Sequence, residues 1–121
     1  MYYDELENSL TEFLEKRGFE VRTGSAFPST IDLLATIDDK LLLIEIKRTS
    51  RIDSTDIARL KSHASMLSKE LGRNPFQTRT FIFAEGSITG SATETSKELR
   101  IPIYKPDEIE KFFSQDLFRK K

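Results

Sequence analysis

The chain has 121 residues, with 19 basic and 20 acidic side chains and a formal net charge of −1. It carries no cysteine, which excludes disulfides, thiolate catalysis and zinc–thiolate sites and makes an intracellular, cytoplasmic protein the expectation. No apolar run approaches the ~18 residues that span a bilayer, no signal-peptide pattern opens the chain, and the length suits one domain spanning residues 1–121.

Leu6, Leu10, Phe13 and Leu14 fall at helical spacing, and Gly18 follows them, so a first helix is predicted from about Asp4 to Arg17. Phe19 to Thr23 reads as a short strand. Gly24, Ser25 and Pro28 punctuate a loop. Thr30 to Ile37 and Lys40 to Arg48 read as two strands of a hairpin closed by Asp38-Asp39. A long helix is predicted from Ser54 to Leu71. Its apolar stripe is Ile57, Leu60, Ala64, Leu67 and Leu71, with Asp53 or Ser54 as its cap and Gly72 as its stop. Asn74-Pro75 is a turn, and Thr78 to Ala84 a strand. Ser91 and Glu94 fit a capping box for a helix ending near Leu99. Ile101 to Tyr104 is a short strand. Pro106-Asp107 opens a last helix that buries Ile109, Phe112, Phe113 and Leu117. This order predicts an α/β fold, a mixed central sheet with helices on both faces, in which the long helix carries a parallel crossover.

Three charges stand out against this pattern. Asp32 precedes Leu33-Leu34-Ala35, and Glu45 and Lys47 end the run Leu41-Leu42-Leu43-Ile44-Glu45-Ile46-Lys47. A charge buried in an apolar sheet is costly unless something pairs with it. If Asp38-Asp39 is a two-residue loop, Ile37 pairs with Lys40, and the same register brings Asp32 opposite Glu45, with Cβ atoms ~4.5–5.5 Å apart. Strand alternation puts Glu45 and Lys47 on one face. A hard divalent cation, Mg²⁺ or Mn²⁺ in its place, would reverse the repulsion between the facing carboxylates. The competing reading is a solvated hairpin with a cross-strand ion pair. Against it, Leu41 to Ile44 is apolar without a break, as in strands covered on both faces.

An Asp, a hairpin and then Glu-Ile-Lys, after one helix and one strand, resembles the PD-(D/E)XK nuclease superfamily. The predicted αβββαβ order is that of its restriction-endonuclease-like core, here with a C-terminal αβα extension. The nearest likeness is to archaeal Holliday junction resolvases, through Leu14-Glu15-Lys16-Arg17-Gly18-Phe19, Gly24-Ser25, Asp32-Leu33-Leu34-Ala35 and Ile44-Glu45-Ile46-Lys47. Residues Glu85 to Phe113 look more like the tail of Mrr-type restriction nucleases. Residue 31 is Ile where the superfamily name has Pro. The resemblance implies a Mg²⁺-dependent endonuclease acting on DNA. Asp32, Glu45 and the main-chain carbonyl of Ile46 would be metal ligands and Lys47 the catalytic lysine. Glu7 would be the N-terminal-helix glutamate and Ser25 an active-site serine.

Other residues carry two readings. Glu7 either faces the metal cleft or simply favours the positive end of its helix. Ser25 either bonds the scissile phosphate or serves the turn. Arg48, Arg51, Arg59 and Lys61 either track phosphates or form a solvated face. His63 reads as a partly exposed imidazole, not a ligand. The near-neutral total neither advertises nor excludes nucleic acid, because local patches decide. A chain of this length leaves no room for a recognition domain, so shape-selective binding or a partner subunit would supply specificity. Two-strand cleavage would need a homodimer. No membrane partner is expected. The alternative to an enzyme is a non-catalytic nucleic-acid- or protein-binding module on the same fold.

Overall fold

Strand β3 (Lys40–Lys47) is the axis of the molecule, buried from Leu41 to Ile46. The computed structural model describes residues 3–23, 31–73 and 77–114. Helix α1 (Tyr3–Lys16) and strand β1 (Glu20–Thr23) lead into β2 (Leu33–Ile37) and β3. After β3 come a two-residue strand β4 (Arg51–Ile52), helix α2 (Ser54–Glu70) and β5 (Thr78–Ala84). A two-residue β6 (Ser87–Ile88), α3 (Gly90–Leu99), β7 (Ile103–Tyr104), a 3₁₀ turn (Pro106–Glu108) and α4 (Ile109–Phe113) complete the order.

The main sheet runs β1-β2-β3-β5-β7, antiparallel through β3 and parallel beyond it. Helix α2 makes the β3-to-β5 crossover, as a parallel pairing requires. The hairpin register is the expected one: Ile37 pairs with Lys40 and Leu33 with Ile44, with Asp38 at φ 53° in the turn. Alternation along β3 sends Leu42, Ile44 and Ile46 into one core with α1 and α4, and Leu41 and Leu43 into another with α2 and α3. Phe112 of α4 anchors the first core, its ring 5.1 Å from Phe81 and 5.4 Å from Phe83. This is an α/β fold with a mixed central sheet between two helical layers.

Several boundaries differ from expectation. Strand β2 starts at Leu33, so Asp32 lies just outside it. Strands β4 and β6 were not predicted; two residues each are too few to show alternation, and among the described residues they pair with each other and not with the main sheet. The cap of α3 is Thr89, not Ser91: Thr89 is extended, and its Oγ1 accepts from the Ala92 N–H at 3.1 Å. Leu71 is exposed, not part of the stripe of α2, because the helix has ended at Glu70. The predicted opening of the last helix at Pro106 is the 3₁₀ turn. Gly18 and Gly72, at φ 92° and 67°, end α1 and α2 as expected. The loop with Ser25, the Asn74-Pro75 turn and Leu117 lie outside the described residues.

Candidate active site

The C-terminal end of β3 holds the charges. Glu45 and Lys47, being odd-numbered in a strand whose odd positions face α2, project toward that helix. Lys47 Nζ is 3.3 Å from Glu45 Oε2 and 3.6 Å from Asp56 Oδ1 in the first turn of α2. The Glu45 side chain is 5% exposed and that of Lys47 15%, so the ion pair is largely withdrawn from water. Such a pair is retained only where its geometry offsets desolvation.

Asp32 joins them by another route than strand pairing. Its N–H donates to the Ile44 carbonyl (2.9 Å), one residue off the ladder, and its Oδ2 accepts from the Ile46 N–H at 2.8 Å. The register that pairs Leu33 with Ile44 would place residue 31 opposite Ile46. The carboxylate thus sits across the main chain of β3, between the two residues that carry Glu45 and Lys47.

Asp56 is the residue that sequence reasoning missed. Its Oδ2 accepts from the Asp53 N–H at 2.9 Å, which fixes the start of α2, while Oδ1 faces Lys47 and, at 3.9 Å, Arg59. The available signal was an acid three residues after the cap, the spacing of a reciprocal cap. The crossover was expected; what spacing did not provide was that it sets this first turn of α2 against the end of β3.

The remaining expected residues are dispersed. Glu7 is half-buried on α1, which packs on the sheet face opposite Glu45 and Lys47, and its carbonyl accepts from Thr11 Oγ1. Arg48 is exposed just past β3, and Arg51 pairs with Asp53 at 3.3 Å. Arg59 and Lys61 lie exposed on α2, where His63 is half-buried. Ser25 lies outside the described residues.

Among the described residues, no three His, Asp or Glu side chains gather into a metal-holding group. Asp32, Glu45 and the Ile46 carbonyl nevertheless supply only oxygen donors, the chemistry that fits a hard cation keeping several waters. Among the described residues, no helix is long and apolar enough to cross a membrane.

No protein-family model matches the chain, nor does any curated protein. Solved structures do. A repair endonuclease from Pyrococcus abyssi superposes with a TM-score of 0.60 at 17% identity, over 87% of this chain and 46% of its own. EndoMS in its apo form gives 0.56 at 22%, over 87% and 47%. Protein VC1899 from Vibrio cholerae gives 0.64 at 14%, over 90% and 30%. The chain thus spans less than half the length of each. What it shares with them is the fold, which is restriction-endonuclease-like.

Proposed function

We propose that the protein is a metal-dependent endonuclease that hydrolyses DNA phosphodiester bonds. The observation that carries this reading is the withdrawn Glu45–Lys47 pair with the Asp32 carboxylate anchored on the intervening Ile46 amide, at the end of the central strand. Two of the structures that share the fold are a repair endonuclease and EndoMS.

In this reading Asp32, Glu45 and the carbonyl of Ile46 would hold Mg²⁺, with Mn²⁺ as a substitute. When bound, such an ion would supply Lewis acidity toward a phosphate oxygen and lower the pKa of water. The protein's own groups do the rest. Lys47 presents a cation where negative charge develops on the phosphate. Asp56, bonded to the start of α2, aims Lys47 and keeps it from folding back wholly onto Glu45. The hydrogen bond from Ile46 holds the Asp32 carboxylate in place before any ligand arrives, so little ordering remains to be done on binding. Ser25 would serve from its loop. Arg48 and Arg51, exposed beside the cleft, would position the DNA backbone. Cleavage of both strands of a junction or duplex is assigned to a homodimer, which supplies two sites.

Two experiments test this. Calorimetry with Mn²⁺ should show binding to the wild type that Asp32→Asn abolishes; unchanged binding sinks the metal site. Incubation with four-way junction, flap, linear and single-stranded DNA, with and without Mg²⁺, should show cleavage only with metal. Failure to cut any of the four returns the chain to a binding role on a nuclease fold.

A further inference from the structure

The far end of α2 carries a second feature. The helix closes in a Schellman turn: the Arg73 N–H donates to the Ser68 carbonyl (2.8 Å) and the Gly72 N–H to that of Lys69 (3.1 Å). This turn brings Arg73 back beside the last two turns of α2. With Thr78 and Thr80 of β5 it lines a cavity of about 380 Å³ between helix and strand. That volume is within the range of small-ligand sites. At ~1.5 Å per residue the helix rises about 7.5 Å from Asp56 to Lys61, the nearest lining residue, and about 20 Å to Lys69, so the cavity begins beyond the ion pair and extends toward the far end of α2.

Its chemistry is one-sided. Lys61, Lys69 and Arg73 line it, and among the described residues no acidic one does. The Nε of Arg73 is buried and has no hydrogen-bond partner among the described residues. A buried donor on a charged group without an acceptor is costly, and an incoming anion would relieve the surrounding positive field. The floor is already built: Ser68 Oγ lies 2.9 Å from Thr78 Oγ1 and 3.2 Å from the Arg73 carbonyl, tying helix, turn and strand together. Most of the wall is apolar, made by Ala64, threonine methyls and the stems of the basic side chains. Inorganic phosphate would satisfy the cations but leave this wall in contact with water. A phosphodiester within a strand brings one negative charge, whereas a terminal monoester approaches two near neutral pH.

We propose that this cavity binds a nucleoside carrying a terminal phosphate monoester, its base and sugar on the apolar wall and its phosphate among Lys61, Lys69 and Arg73. The same chemistry comes from a free mononucleotide or from the 5′-phosphorylated end of a nucleic-acid strand. The inference does not depend on the carboxylate site being active.

The test is binding by calorimetry in metal-free buffer. The probes are dAMP, deoxyadenosine, inorganic phosphate, and one hexanucleotide with a 5′-phosphate or a 5′-hydroxyl. The expected result is at least tenfold tighter binding of dAMP than of deoxyadenosine or inorganic phosphate, and of the phosphorylated over the hydroxyl hexamer. A hexamer that binds tenfold better than dAMP identifies a strand end as the ligand; the reverse identifies a free nucleotide. Lys69→Gln with Arg73→Gln should weaken dAMP by tenfold or more. Lys61→Gln with Lys69→Gln repeats the test with Arg73, which closes the Schellman turn, left intact. Glu45→Gln should bind dAMP as the wild type does, which keeps this result apart from the nuclease assay. Equal affinity for phosphorylated and unphosphorylated probes, or full affinity in both folded double variants, overturns the proposal.

Discussion

At the scale of single residues, Asp32 has two duties, and they can be separated. Removing its carboxylate in Asp32→Ala leaves the Ile46 amide without that acceptor, a loss of about 1–3 kcal/mol in urea unfolding. Asp32→Asn keeps an oxygen in place and should lose well under half as much. Similar losses in both variants would contradict a structural part for this hydrogen bond. Lys47 offers a second test. In metal-free buffer Lys47→Met leaves the buried Glu45 carboxylate without its cation, at a cost of about 3 kcal/mol. Adding Glu45→Gln to the same chain should recover much of that cost, a coupling that a double-mutant cycle reads directly. Strict additivity would show that the two heads do not interact in solution.

At the scale of elements, the short β4–β6 ribbon shapes the ground between β3 and α2. Gly86 lets it form: a Cβ there would fall against the main-chain carbonyls of Thr49 and Ser50, and Ser50 accepts from the Ser87 N–H at 2.9 Å. Lys105 reaches the same strand end, donating from Nζ to the carbonyls of Glu85 and Gly86. Gly86→Ala should therefore cost about 1–3 kcal/mol, as overpacking against rigid backbone does. A wild-type denaturation midpoint would show that the ribbon gives way freely. The start of the last helix has a pH signature. The Lys105 N–H, at 2.8 Å from Glu108, and then the Lys111 ammonium, at 2.9 Å, hold the Glu108 carboxyl below its ordinary 4.5. A depressed carboxyl stabilises the fold above its unfolded value, and that contribution disappears as pH falls through the folded one. Thermal melts should thus show a shallower acid-side decline for Glu108→Gln than for the wild type. The effect will be small because this pair is solvated, and a parallel decline would refute it.

At the scale of the whole molecule, the legible parts of the sequence were those where one physical demand dominates. The unbroken Leu41–Ile44 run announced a strand covered on both sides, the stripe on α2 announced its buried face, and Asp38-Asp39 set the hairpin register. Charges interrupting apolar runs marked Asp32, Glu45 and Lys47, strand alternation placed Glu45 and Lys47 on one face, and the resemblance suggested their roles. Asp56 stayed hidden because its role depends on how the expected crossover sets the first turn of α2 against Lys47, a contact with no local periodicity. The ribbon of β4 and β6 stayed hidden for a related reason: two residues pairing across more than thirty positions leave no pattern in either segment. Glu7 shows what periodicity leaves open: helical spacing with Leu10 and Leu14 says which residues share a side of α1 but not which face of the sheet that side meets.

Helix α2 roofs β3 and β5 from the ion pair at one end to the cavity at the other. A roof of that kind lifts as a unit or stays down. Amide hydrogen exchange at Leu60, Ala64 and Ile44 should then report one shared opening free energy instead of a graded series. Whatever fastens onto either end would slow exchange along the whole rod, including amides it never touches.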